Sequence, residues 1–142
     1  MKNLILYLIV FFCLESCGTT GHIVFYNFNT FKYDVEKELL NIINTDSAYT
    51  VPVKWRVHTE GDYFERIYFY FKNPEELYQV GFNYDSTIWK QSTISRLAFI
   101  SIYKEIQFQY ESDLSNKEIA RIQKRFETEI LAKIKYSYYK SN

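Results

Sequence analysis

The chain has 142 residues, and its 17 basic side chains balance 17 acidic ones. That leaves room for one domain with a real core, and no global field to draw in nucleic acid or anionic lipid. Aromatic residues make up 20% of the chain, with 14 Tyr and 12 Phe, and its two Pro and four Gly argue against disordered or low-complexity linkers.

The chain opens with Lys2 ahead of an apolar run from Leu4 to Leu14, LILYLIVFFCL. As a helix this run reaches about 16 Å, half the hydrocarbon thickness of a bilayer, so it matches a secretory signal and is too short to span. Leu14-Glu15-Ser16-Cys17 then resembles the lipobox of bacterial lipoproteins. That pattern has Leu three residues before the Cys and a small residue just before it; Glu15 stands where an uncharged residue is usual.

The resemblance implies that residues 1–16 are removed as a signal peptide. The Cys17 thiol receives a diacylglyceryl group, and Cys17 becomes the acylated first residue. Cys13 follows the bulky Phe12 and does not fit the modified position. Two acyl chains suffice for stable anchoring where one is marginal. An exported domain left without a disulfide is held by its core alone. Gly18-Thr19-Thr20-Gly21-His22 forms a tether of at most about 18 Å, which keeps the domain near the bilayer. In lipoproteins of two-membrane bacteria, Asp directly after the Cys retains the protein in the inner membrane. Gly18 stands there, which implies the periplasmic leaflet of the outer membrane. A plain secretory signal with an incidental Cys17 is the competing reading.

Residues 23–142 read as a single domain. Residues 23–28 (IVFYNF) are β-branched and aromatic, as in a strand. Asn29 or Thr30 is expected to cap a helix with Phe31, Val35, Leu39, Ile42 and Ile43 on one face. Residues 53–60 (VKWRVHTE) and 64–72 (FERIYFYFK) both alternate, which predicts a hairpin joined by an odd-length loop at Gly61. Its inner face holds Val53, Trp55, Val57, Ile67, Phe69 and Phe71. Its outer face gathers Lys54, Arg56, His58, Arg66, Tyr68 and Tyr70.

Residues 77–84 supply another strand after a turn at Asn73-Pro74, while 88–93 is ambiguous. Residues 96–104 (RLAFISIYK) are apolar on both faces, as in a central strand, and 106–110 adds a short one. Ser115 with Glu118 fits a capping box for a helix reaching about Lys135 and carrying Ile119, Ile122, Phe126, Ile130 and Ile134 on one stripe. The expected class is α+β, an antiparallel sheet of four to six strands with two helices on one face.

Catalytic patterns are sparse. A Ser-His-Asp arrangement would have to use His58, and no Gly-x-Ser-x-Gly elbow accompanies it. His58, Glu60 and Asp62 form H-x-E-x-D, but the turn at Gly61 breaks the alternation, leaving a solvated hairpin tip. Glu75-Glu76 beside Pro74 reads as a solvated turn, and Lys117, Arg121, Lys124 and Arg125 as a solvated helix face laced with Glu. No glycine loop or nucleotide fingerprint occurs, and no cofactor is expected.

The Tyr and Arg residues remain. Arg56, His58, Arg66, Tyr68 and Tyr70 have the composition of a partner-binding face, with Tyr136, Tyr138 and Tyr139 as a second cluster. The expectation is a non-enzymatic lipoprotein, bound to the membrane through Cys17, that docks an envelope protein as an accessory or inhibitory subunit. A periplasmic binder of small molecules or glycans is the alternative, and would need a concave aromatic pocket.

Overall fold

The computed structural model describes residues 21–59, 65–83 and 86–141. The apolar opening, Cys17 and the turn at Gly61 lie outside these. The expected α+β class is observed. Among the described residues, one six-stranded antiparallel sheet is joined by three α-helices. The strands are β1 (Val24–Phe28), β2 (Arg66–Phe71), β3 (Glu76–Phe82), β4 (Ser95–Lys104), β5 (Gln107–Gln109) and β6 (Tyr138–Ser141). The helices are α1 (Lys32–Thr45), α2 (Ser86–Gln91) and α3 (Asn116–Glu129). The sheet order is β2-β3-β4-β1-β6, with β5 paired to β4 outside that path.

One face of the sheet carries Tyr26, Phe28, Ile67, Phe69, Phe71, Tyr78, Val80, Leu97 and Phe99, which pack beneath α1 and α3. α1 contributes Val35, Leu39 and Ile42, and α3 contributes Ile122 and Phe126. Phe126 is the hub, its ring 5.7 Å from Tyr26, 5.8 Å from Phe69 and 5.2 Å from Phe99. This packing reflects the periodicities of 2 and 3.6 in the sequence.

Two features of the sheet shape its second face and its β5 end. A register shift at Gln79/Val80 leaves Ile100 without a β3 partner, so β4 switches faces midway. Leu97 and Phe99 point to the helices, as does Ile102, while Ser101 and Tyr103 turn to the other side. β5 also lies in line with β1. β3 holds one edge of β4 at Ile102 and Tyr103, and β5 holds the opposite edge at the same residues. β1 occupies that opposite edge from Ser95 to Phe99.

Several boundaries differ from expectation. Val53–His58 is a 3-10 segment, not a strand, and β2 pairs with β3 through the short turn after Phe71. Alternation over six residues does not distinguish the two outcomes when only Trp55 needs to be covered. Neither Asn29 nor Thr30 caps α1: its N-cap is Phe31, with no side-chain cap bond, and the Thr30 hydroxyl donates to the Asp34 carboxylate at 3.2 Å instead. α3 is capped by Ser115, whose Oγ accepts from the Glu118 N–H at 3.3 Å. The expected capping box is only half made, because the Glu118 carboxylate pairs with Lys104 and Arg121 instead, and the helix ends at Glu129. A 3-10 turn, Leu131–Lys133, then redirects the chain into β6. Tyr138 is therefore a sheet residue, its ring 5.4 Å from Tyr26 and 5.8 Å from Phe28.

Candidate functional site on the second face of the sheet

The face away from the helices carries the residues expected to bind a partner. Pro52 starts the 3-10 segment, where the Trp55 N–H donates to the Pro52 carbonyl at 2.9 Å. The Thr59 N–H and hydroxyl both donate to the Arg56 carbonyl, at 2.8 and 2.9 Å. With three residues per turn, Val53 and Arg56 share the solvent side. Val53 is 77% exposed, whereas Trp55 turns inward and is only 8% exposed.

Trp55 lands on a second, smaller apolar cluster with Tyr68, Leu77 and Tyr103, flanked by Tyr70 and Phe108. The rings meet edge to face: Trp55 to Tyr103 at 5.1 Å, Trp55 to Tyr70 at 6.0 Å, and Tyr103 to Phe108 at 5.0 Å. Next to it runs a buried polar chain, in which Ser101 Oγ donates to Gln79 Oε1 at 2.6 Å and Gln79 Nε2 donates to the Tyr68 hydroxyl at 2.9 Å. The β4 register shift puts both Ser101 and Tyr103 on this side, so one irregularity builds the apolar and the polar halves together.

At the rim, the Tyr70 hydroxyl donates to Glu75 Oε1 at 2.8 Å, and Lys54 Nζ sits 2.6 Å from the same oxygen. The hydrogen bond from Lys54, then that from Tyr70, holds the Glu75 carboxyl below the usual range. Burial, with the Glu75 carboxylate beside it, raises the Tyr70 hydroxyl.

The expected site is thus partly reassembled. Arg56 is exposed next to Trp55, and Tyr70 is half-buried against the Trp55 ring. Tyr68 is buried, not outward-facing, because the Trp55 segment lies over this face. Arg66 is half-buried at the far end of β2, opposite Gly81, about 13 Å along the strand from Tyr70. The side chain of His58 lies outside the described residues, as do Glu60 and Asp62. Among the described residues, no group of three His, Cys, Asp or Glu side chains could hold a metal ion.

Two charged constellations were not legible as such. Glu76, expected in a solvated turn, is 1% exposed. Arg121 Nη1 donates to its Oε2 at 3.2 Å, and Nη2 makes a short bond to Oε1. The Tyr78 hydroxyl donates to Oε2 at 3.0 Å, and Arg125 approaches the same oxygen at 3.6 Å while lying 4.4 Å over the Phe71 ring. Burial beside this carboxylate pushes the Tyr78 hydroxyl well up. The helix face read as solvated therefore pins α3 to the start of β3. The i,i+4 spacing of Arg121 and Arg125 was the available signal.

Lys32, 2% exposed, is the other. It pairs with Glu36 at 2.8 Å and with Glu65, under Trp89 at 4.5 Å and Tyr33 at 4.8 Å. Burial pulls its ammonium down, but the two carboxylates together outweigh that and hold it above its ordinary value. Both constellations are closed by their own partners.

Among the described residues no helix is long and apolar enough to cross a membrane. No protein-family model, curated protein or solved structure matches this chain.

Proposed function

We propose that this chain is a non-enzymatic, lipid-anchored envelope protein that binds another protein, as an accessory or inhibitory subunit, through the patch built on Trp55. The observation that carries this reading is the packed aromatic base, Trp55 on Tyr70 and Tyr103, rimmed by exposed Val53 and Arg56. The interlocked rings hold the 53–58 segment against the sheet, so a partner meets exposed Val53 and Arg56 and the Tyr70 ring on a fixed base. That composition and rigidity are those of binding hot spots. The ionisable clusters around Glu76 and Lys32 pair within the fold, which suits a scaffold. The anchor rests on Leu14-Glu15-Ser16-Cys17, and the same pattern with Gly18 supports placement in the outer membrane, facing the periplasm.

The test has two steps. Intact mass of the protein extracted from its own membranes should show a chain starting at Cys17 with added acyl mass, absent in Cys17→Ala. A photo-crosslinking amino acid at position 53 should then give a discrete protein adduct in cells. Arg56→Ala with Tyr70→Ala should abolish that adduct while leaving the circular dichroism spectrum unchanged. An adduct indifferent to the double substitution, or none at all, refutes the patch.

A further inference from the structure

β1 carries a buried amide, Asn27, opposite Arg96 of β4 on one side and Tyr139 of β6 on the other. Its neighbours Tyr26 and Phe28 face the helices, so alternation puts Asn27 and these two partners on the second face of the sheet. Asn27 Oδ1 accepts from Arg96 Nε at 2.9 Å, and Asn27 Nδ2 donates to Ser141 Oγ at 2.9 Å. The half-buried Arg96 guanidinium lies 4.9 Å over the Phe25 ring, which the His22 ring meets at 3.7 Å. One hydrogen bond and one ring thus fix the arginine. Among the described residues its outer nitrogens, Nη1 and Nη2, make no hydrogen bond.

Its charge is also unanswered. Arg121 and Arg125 direct their guanidinium groups to Glu76, Glu118 and Glu129, whereas Arg96 meets no carboxylate among the described residues, and neither does the exposed Arg56. A guanidinium with its position fixed and its paired donors open is complementary to a carboxylate, which it takes in bidentate fashion. Holding it in place beforehand removes much of the side-chain ordering that binding otherwise requires. Arg96 stands seven residues from Tyr103 along β4, about 23 Å, and Tyr103 touches Trp55. A standard interface covers about 800 Å² on each partner, a patch about 30 Å across. One protein seated on the Trp55 patch therefore reaches Arg96 as well.

We propose that Arg96 is a second docking point on this face: it receives the carboxylate of an Asp or Glu side chain from the protein that covers Trp55. This rests on the partner reading above and adds a chemistry to it, a partner surface that is acidic where it meets Arg56 and Arg96. The binding role can be separated from the support Arg96 gives to Asn27. A glutamine Nε2 stands at the same place along its side chain as an arginine Nε, so Arg96→Gln keeps the donor to Asn27 and removes the fork. Tyr139, 54% exposed and one strand away, is placed to report contact at this end.

The test uses the full chain in cells, with a photo-crosslinking amino acid at position 139 or, separately, at position 53. Both should give an adduct with the same protein, and mass spectrometry should map the 139 adduct to a segment containing Asp or Glu. Arg96→Gln should keep Tm within about 2 °C of the parent while lowering the 139 adduct by about tenfold or more, the loss expected for a charge-assisted pair. Arg96→Glu should abolish it, and Lys in place of the partner's mapped acidic residue should restore it. Where Arg96→Gln lowers Tm further, this charge exchange decides alone. A 139 adduct indifferent to Arg96→Gln, or one that the charge exchange does not restore, overturns the site. An adduct at 53 and none at 139 overturns it too, while the Trp55 reading stands. An Arg96-dependent adduct at 139 with none at 53 supports the carboxylate site and refutes the Trp55 patch. No adduct at either position refutes both.

Discussion

Trp55→Ala removes the largest side chain that the 53–58 segment lays on the second face of the sheet among the described residues. A buried tryptophan takes about 200 Å² out of water, and at about 25 cal/mol per Å² that corresponds to ~5 kcal/mol. Compact unfolded chains already hide part of that area, which lowers the figure to about 3–4 kcal/mol. Alanine keeps its Cβ, a reduction of under about 1 kcal/mol, while the two edge-to-face contacts at 5.1 and 6.0 Å add roughly as much. The expected loss is about 3–4 kcal/mol, at the lower end for large aromatic truncations because a surface segment can partly collapse. For a domain of this size that lowers Tm by roughly 10–15 °C. Urea unfolding followed by far-ultraviolet circular dichroism measures it, and pairing with Tyr103→Ala tests the ring contact, which should couple by about 0.5–1.5 kcal/mol. A loss below about 1 kcal/mol, or no coupling, would mean that the 53–58 segment does not cover the sheet.

Acid should weaken the α3 attachment. Hydrogen bonds from Arg121 and Lys104 hold the Glu118 carboxyl at about 2 instead of 4.5. Its contribution is therefore complete above pH 4.5 and lost as pH falls through 2. The full shift corresponds to about 3 kcal/mol, reduced by solvent screening to about 1–2 kcal/mol. Glu118→Gln should be less stable than the parent by that amount at neutral pH and equal to it near pH 2; a constant difference across the range would refute the assignment. Glu105→Gly should stabilise by about 0.5–1 kcal/mol, since glycine takes a φ of 59° without the Cβ clash. Urea unfolding showing no gain would mean that the turn is relaxed with glutamate in place.

The helices and the core strands were legible because each buries one stripe, and a stripe leaves its period in the chain. Leu39, Phe69 and Phe126 could be placed this way. The 53–58 segment could not, since its alternation reads as a strand although Val53 is exposed and Trp55 buried on a 3-10 turn. Its misreading moved Tyr68 to the surface and invented a hairpin. β6 was invisible for a different reason. Tyr138–Ser141 becomes a strand only by pairing with β1, more than 100 residues earlier, and no local pattern announces that. The Glu76 site joins residues 45 positions apart, so its burial followed from the tertiary fold and not from the turn around Pro74.

β1 lies between β4 and β6, and both neighbours come late. Phe25 pairs with Ala98 on one side and with Ser141 on the other. A polypeptide made from its N-terminus makes this strand well before either neighbour, so its β4 edge stays bare until residues 95–99 follow and its β6 edge until residues 138–141 do. Pairing over such separations is slow, and bare strand edges invite association with other chains. Folding therefore contains an interval in which the β6 edge of β1 is bare. Truncation before Tyr138 would make that interval permanent.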